Sequence, residues 1–150
     1  MFPEKTISQI KFEIKQIDKL LRAYEELFNK CQDSEPELIE ITALASVLHS
    51  FYNGIEKIFE IIAKRIDKAI PQGKQWHRDL LIQMAKDLPS RKPVISKNMM
   101  TELLKYLAFR HFYRHSYSFF LSWEELEKLV NSIFDVWESL KTEISFFMDG

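Results

Sequence analysis

The stretch Arg110-His111-Phe112-Tyr113-Arg114-His115-Ser116-Tyr117 gathers two guanidiniums and two imidazoles. Arginine presents a planar fork that fits phosphate, and histidine can move a proton near neutral pH. Together they suffice to cleave RNA without a metal. A base takes the proton of a ribose 2′-hydroxyl, an acid protonates the leaving 5′-oxygen, and a guanidinium stabilises the charge that builds on phosphorus. Upstream, Met100, Leu103 and Leu107 recur at helical spacing, and the same rhythm continues into Arg110, Arg114 and Tyr117. The neighbouring row runs Leu104, Ala108, His111, His115. At ~100° per residue these polar side chains share the sector that the apolar residues had been using. Buried cations are costly unless paired, so the pattern points to a cleft, an interface or an anion site. The alternative is a helix end emerging into solvent, where charge costs nothing.

Metal chemistry fits these residues less well. His111 and His115 lie four apart, as metal-binding pairs do, but the nearest carboxylates in sequence are Glu102 and Glu124. Arg110 and Arg114 would repel a cation. The chain has no glycine-rich phosphate loop, no Gly-x-Ser-x-Gly elbow and no His-Glu-x-x-His helix. Its single cysteine, Cys31, continues an apolar stripe and reads as packing. The expectation is therefore an anion site with no metal and no cofactor.

The elements that must position this segment read as helices. Ile7, Ile10, Ile14, Ile17, Leu21, Tyr24, Phe28 and Cys31 predict one long helix over about Glu4 to Cys31. Ser34, Pro36 and Glu37 resemble a cap, a first-turn proline and the far side of a capping box. The second stripe then runs from Leu38 through Tyr52, Phe59 and Ile66 to Ala69, before Pro71. A shorter helix is expected over Gln75 to Leu88, and Pro89-Ser90-Arg91-Lys92-Pro93 reads as a loop. Ser96 caps the motif helix, which is predicted to end near Phe120, and Ser122 with Glu125 caps the last one. The expected fold is all-α: an antiparallel bundle of about five helices in a single domain, residues 1–150. Gly54 inside the second helix costs ~1 kcal/mol relative to alanine, which suggests close helix packing there.

Composition agrees with a packed domain. The 150 residues are 46% apolar and 13% aromatic, with only three glycines and five prolines for turns, which disfavours both disorder and a sheet. No signal-like run and no uncharged stretch of about 18 residues is present, so a soluble, cytoplasmic protein is expected. The net charge of -1 hides a basic middle: Lys64 to His115 holds twelve Lys and Arg against four Asp and Glu. That block favours an anionic ligand such as nucleic acid or nucleotide.

Arg110, His115 and Tyr117 form Arg-x4-His-x-Tyr. This resembles the signature of the HEPN superfamily, and in particular the HepT-like toxins of two-gene toxin–antitoxin pairs. Tyr52-Asn53-Gly54-Ile55-Glu56 is similar to the helix on which these proteins often carry a polar side chain facing the motif. The resemblance implies a metal-independent endoribonuclease acting as a homodimer on cellular RNA, with tRNA a leading substrate. It assigns catalysis to Arg110 and His115, with Glu56, Asn53, His111 and Arg114 as supporting candidates. It further implies a minimal nucleotidyltransferase antitoxin that transfers AMP to Tyr117. The competing expectation is a catalytically silent HEPN-type bundle that binds nucleotide, or a helical interaction protein.

Overall fold

The computed structural model describes residues 2–115 and 121–150. Six α-helices are present among them: α1 (Glu4–Ala23), α2 (Glu25–Asp33), α3 (Leu38–Ile62), α4 (Trp76–Met84), α5 (Lys97–Arg114) and α6 (Trp123–Asp149). The described residues contain no β-strand, only an isolated bridge between Leu88 and Arg91. The fold is an all-α helical bundle, as the apolar periodicity predicts.

α3 is its centre. Leu44, Val47, Phe51 and Ile58 are buried in addition to the stripe through Ile41, Leu48, Tyr52, Ile55, Phe59 and Ile62. A helix apolar on this much of its circumference belongs inside a bundle, and α1, α4, α5 and α6 all pack on it. The Phe51 ring meets Tyr106 of α5 and Trp137 of α6 edge-on, at 5.4 and 5.9 Å between centroids. Gly54 lets α1 approach closely: a Cβ there would lie 2.7 Å from Ile17 Cγ1. The packing suspected from the glycine is real.

The structure corrects several boundaries. The first predicted helix is two helices, broken at Tyr24 (φ -111°, ψ 10°), whose side chain is 40% exposed. The break turns Phe28 onto α6, where it meets Phe134 edge-on at 5.4 Å, and leaves Cys31 buried with its thiol pKa raised by that burial. Ser34 does not open α3. Its hydroxyl donates to Lys30 O at 3.3 Å, closing α2. The capping box lies three residues on, between Glu37 and Glu40, with Glu37 N donating to Glu40 Oε1 at 2.9 Å. At its far end α3 widens into a π-helical turn, Ala63–Asp67, stopped by Lys68 in the left-handed region (φ 58°). Ile66 is consequently only half-buried and Ala69 is exposed.

The π turn carries Asp67 to Arg91, in the segment read from sequence as a basic loop. Arg91 Nε and Nη2 donate to the two Asp67 oxygens at 2.6 and 2.8 Å. Its remaining N–H groups donate to the carbonyls of Lys86, Lys92 and Gln83. All five guanidinium donors are used and the side chain is buried. One of the cations in the basic middle is thus a structural clamp. The helix before this loop, α4, is also shorter than predicted, ending at Met84 rather than Leu88.

Candidate functional site

Two ties to α6 fix the rotation of α5, and hence where Arg110 points. Ser96 accepts from Met99 N at 3.0 Å as expected of a cap, and Glu143 of α6 accepts from Ser96 N and Oγ at 2.6 and 3.1 Å. Further along, the buried Tyr106 donates its hydroxyl to Leu129 O at 2.9 Å. The core row of α5 is therefore Met99, Leu103, Tyr106 and Phe109. The row read from sequence as the core stripe lies at its edge: Leu107 and Arg110 are half-buried and Arg114 is exposed. The large rings of Tyr106 and Phe109 claim the interior, and the cations are carried to the rim. α5 spans Lys97–Arg114; its predicted end near Phe120, and Tyr117, lie outside the described residues.

Arg110 meets the middle of α3. Its Nε donates to Asn53 Oδ1 at 2.8 Å. A guanidinium can only donate, so this bond orients the amide and turns Asn53 Nδ2 towards His49 Nε2, 3.1 Å away. That imidazole nitrogen must accept, which puts the proton of neutral His49 on Nδ1, a buried atom with no partner among the described residues. The His49 ring lies against Tyr113, with centroids 4.8 Å apart. Burial depresses the His49 pKa, and Arg110 and Arg114 add to the effect.

His49 thus couples the site to pH. Its folded pKa lies below the ordinary value of 6.5, so the unfolded chain takes up a proton first. Stability should fall as pH drops below about 6.5, no faster than about 1.4 kcal/mol per pH unit from this group, and level off below the folded value. Thermal unfolding followed across that range checks this: His49→Gln should lose less stability on acidification than the wild type.

Of the two supporting candidates on α3, Asn53 bonds Arg110 and Glu56 does not. Glu56 is buried on α3 and its Oε2 bonds His77 Nδ1 of α4 at 2.7 Å, with Trp76 stacked on the imidazole at 3.7 Å. Tyr52, which feels both Glu56 and Arg110, is fully buried, its hydroxyl without a partner among the described residues. Burial pushes its pKa far up and Glu56 pushes it further, while Arg110 opposes them. The phenol stays protonated. His111 and His115 are exposed with ring centroids 4.4 Å apart, and His115 stands at the helix end, its N–H donating to Phe112 O. No group of three or more metal-ligating side chains occurs among the described residues.

The structure therefore brings together Arg110, Asn53 and His49, with Tyr113 and Arg114 beside them. Glu56 is joined to His77, and His111 and His115 lie on the open side. His49 escaped the sequence reading, although it lies one helical turn before Asn53 on the same face. His77 escaped it too, and no spacing rule would have linked it to Glu56.

A family model described as HepT-like protein matches residues 43–150, which includes most of α3 and everything after it. The chain belongs to the HepT-like family, one of HEPN-type toxins of toxin–antitoxin systems. No curated protein and no solved structure matches it. No helix among the described residues is long and apolar enough to cross a membrane.

Proposed function

We propose that this chain is the toxin of a toxin–antitoxin pair and a metal-independent endoribonuclease acting as a homodimer, with cellular RNA, tRNA foremost, as substrate. Arg110 binds the scissile phosphate and His115 transfers the proton. The 2′-oxygen attacks phosphorus as its proton leaves to a base, the bond to the 5′-oxygen breaks, and that oxygen is protonated. The products are a 2′,3′-cyclic phosphate and a 5′-hydroxyl end. What supports this reading above all is the way Arg110 is held. Asn53 anchors its Nε at 2.8 Å, while the two terminal nitrogens make no bond among the described residues. A fork fixed at its base and free at its tips suits a phosphate. His111, Arg114 and His115 are exposed on the single chain, as a face shared by two protomers requires.

The antitoxin, a minimal nucleotidyltransferase, transfers AMP to Tyr117. The phenol oxygen bonds the α-phosphorus of ATP, pyrophosphate leaves, and the phenolic proton is lost. The added phosphate is an anion two residues from His115, and it competes for the guanidiniums that RNA needs. Co-expression with the proposed nucleotidyltransferase antitoxin should add multiples of AMP to the tryptic peptide containing Tyr117, read by mass spectrometry. Tyr117→Phe should stay unmodified and toxic. AMP found on Tyr113 or Tyr106 would assign the acceptor elsewhere, and a wild-type chain that leaves cellular RNA intact would overturn the ribonuclease reading.

A further inference from the structure

The open side of α3 leads away from Arg110. Asn53, Lys57, Glu60 and Lys64 follow one another at helical spacing, so they stand in line. Opposite them α1 forms a second bank, and two grooves lie between. One, of about 450 Å³, extends from Ser50, Asn53 and Gly54 to Lys57. The other, of about 660 Å³, continues from Lys57 past Glu60 to Lys64 and Arg65, with Lys5 across from them. Both are lined by Phe12, Glu13 and Lys57, which makes them one channel. From Asn53 to Arg65 it follows ~18 Å of helix axis. Its inner end is the residue that holds Arg110.

We propose that this channel is the path of single-stranded RNA beyond the scissile phosphate. Lys57, Lys64 and Arg65 take the backbone phosphates, and Phe12 offers its ring to a base.

The chemistry of the walls carries this inference, which rests on the ribonuclease reading. Lys5, Lys57, Lys64 and Arg65 are exposed, and none makes an ion pair or a side-chain hydrogen bond among the described residues. The carboxylates in the channel, Glu13 and Glu60, are fewer. Glu60 is raised by burial and by the Glu56 carboxylate, so its negative charge is the less firmly held. Phe12 is 58% exposed at the junction of the two grooves. An aromatic ring beside a row of unpaired cations is the arrangement that single strands use, because only an unstacked base can lie on the ring. A solvated helix face accounts for the lysines but not for the phenylalanine. α1 lies before the segment matched by the family model, residues 43–150.

The test uses the full chain and a fluorescent 2′-O-methyl oligouridylate of about ten nucleotides, long enough for the channel and lacking the hydroxyl needed for cleavage. Binding is measured against salt for the wild type, for Lys57→Ala/Lys64→Ala/Arg65→Ala, and for Phe12→Ala, with Lys128→Ala on α6 as control. Loss of three phosphate contacts should weaken binding roughly tenfold and flatten the log–log salt slope by about 2, at ~0.7 per contact on a single strand. Phe12→Ala should weaken binding by about tenfold with the slope unchanged. For a cleavable RNA of the same length the triple variant should raise KM and leave kcat intact. All substituted side chains are exposed, and helical circular dichroism verifies the fold. If the wild type cuts RNA but the triple variant binds with unchanged affinity and slope, the channel is overturned and the ribonuclease reading stands. If the variant keeps RNA binding but is no longer modified by the nucleotidyltransferase, the groove belongs to that protein and the RNA path is overturned. A wild type that neither binds nor cuts RNA sinks both.

Discussion

His115→Ala should reduce RNA cleavage by ~10²–10⁴-fold, the usual worth of general acid–base help. The side chain is exposed at the end of α5 and no core contact depends on it, so the helical fold and the melting temperature should be unchanged. The proposal that it carries the proton rests on the alternatives around it. His49 is occupied, accepting from Asn53 and held in its neutral form, and His77 is bonded to Glu56. His111 is the other exposed imidazole of the motif, 4.4 Å from His115 between centroids, and its replacement should cost much less. Cleavage should persist in excess chelator. Single-turnover rates on a short RNA, with and without chelator, decide the matter. Wild-type rates in His115→Ala, or loss of cleavage on removing divalent ions, would defeat this mechanism.

Arg110→Lys should be almost as damaging as Arg110→Ala, each lowering kcat by ~10²–10³-fold, the cost of losing one well-placed donor to a developing oxyanion. The reason is in the geometry. Arg110 uses Nε to hold Asn53, and Nη1 and Nη2, without a partner among the described residues, are open to the phosphate of the proposed substrate. Lysine has one ammonium and no equivalent of Nε, so it cannot be fixed on Asn53 at one nitrogen and present a planar two-pronged fork to the phosphate from others. The loss should fall on kcat more than on KM, because the interaction strengthens as charge builds on phosphorus. A lysine variant with most of the wild-type kcat would mean that Arg110 supplies only a positive field.

Much of this was legible from spacing. The apolar stripes found the helices, Ser96 announced the start of α5, and Gly54 marked the approach of Ile17. These are local signals, carried by residues within a few turns of one another. What escaped was set by tertiary competition. Leu103, Leu107 and Arg110 form as regular a row as Leu103, Tyr106 and Phe109, and only the Tyr106 bond to Leu129 and the packing on Phe51 show which row faces inward. Ser34 has the chemistry of an N-cap but was claimed by the preceding helix. The site followed the same rule. Arg110, His111, Arg114 and His115 were read from one segment and Asn53, 57 residues away, was a candidate only through the resemblance, whereas His49, which enters only through Asn53, was missed.

The clamp between Asp67 and Arg91 constrains how such a sequence can drift. Each carboxylate oxygen and each guanidinium N–H is committed in a buried place, so neither residue can change alone. Losing one partner strands a charge at a cost of about 3–5 kcal/mol, a large share of what holds a domain together, while exchanging both for apolar residues can be nearly neutral. Divergent descendants of this chain should carry the aspartate and the arginine together or have lost both. The basic loop, which looks free to vary, is in that respect tied to the end of α3.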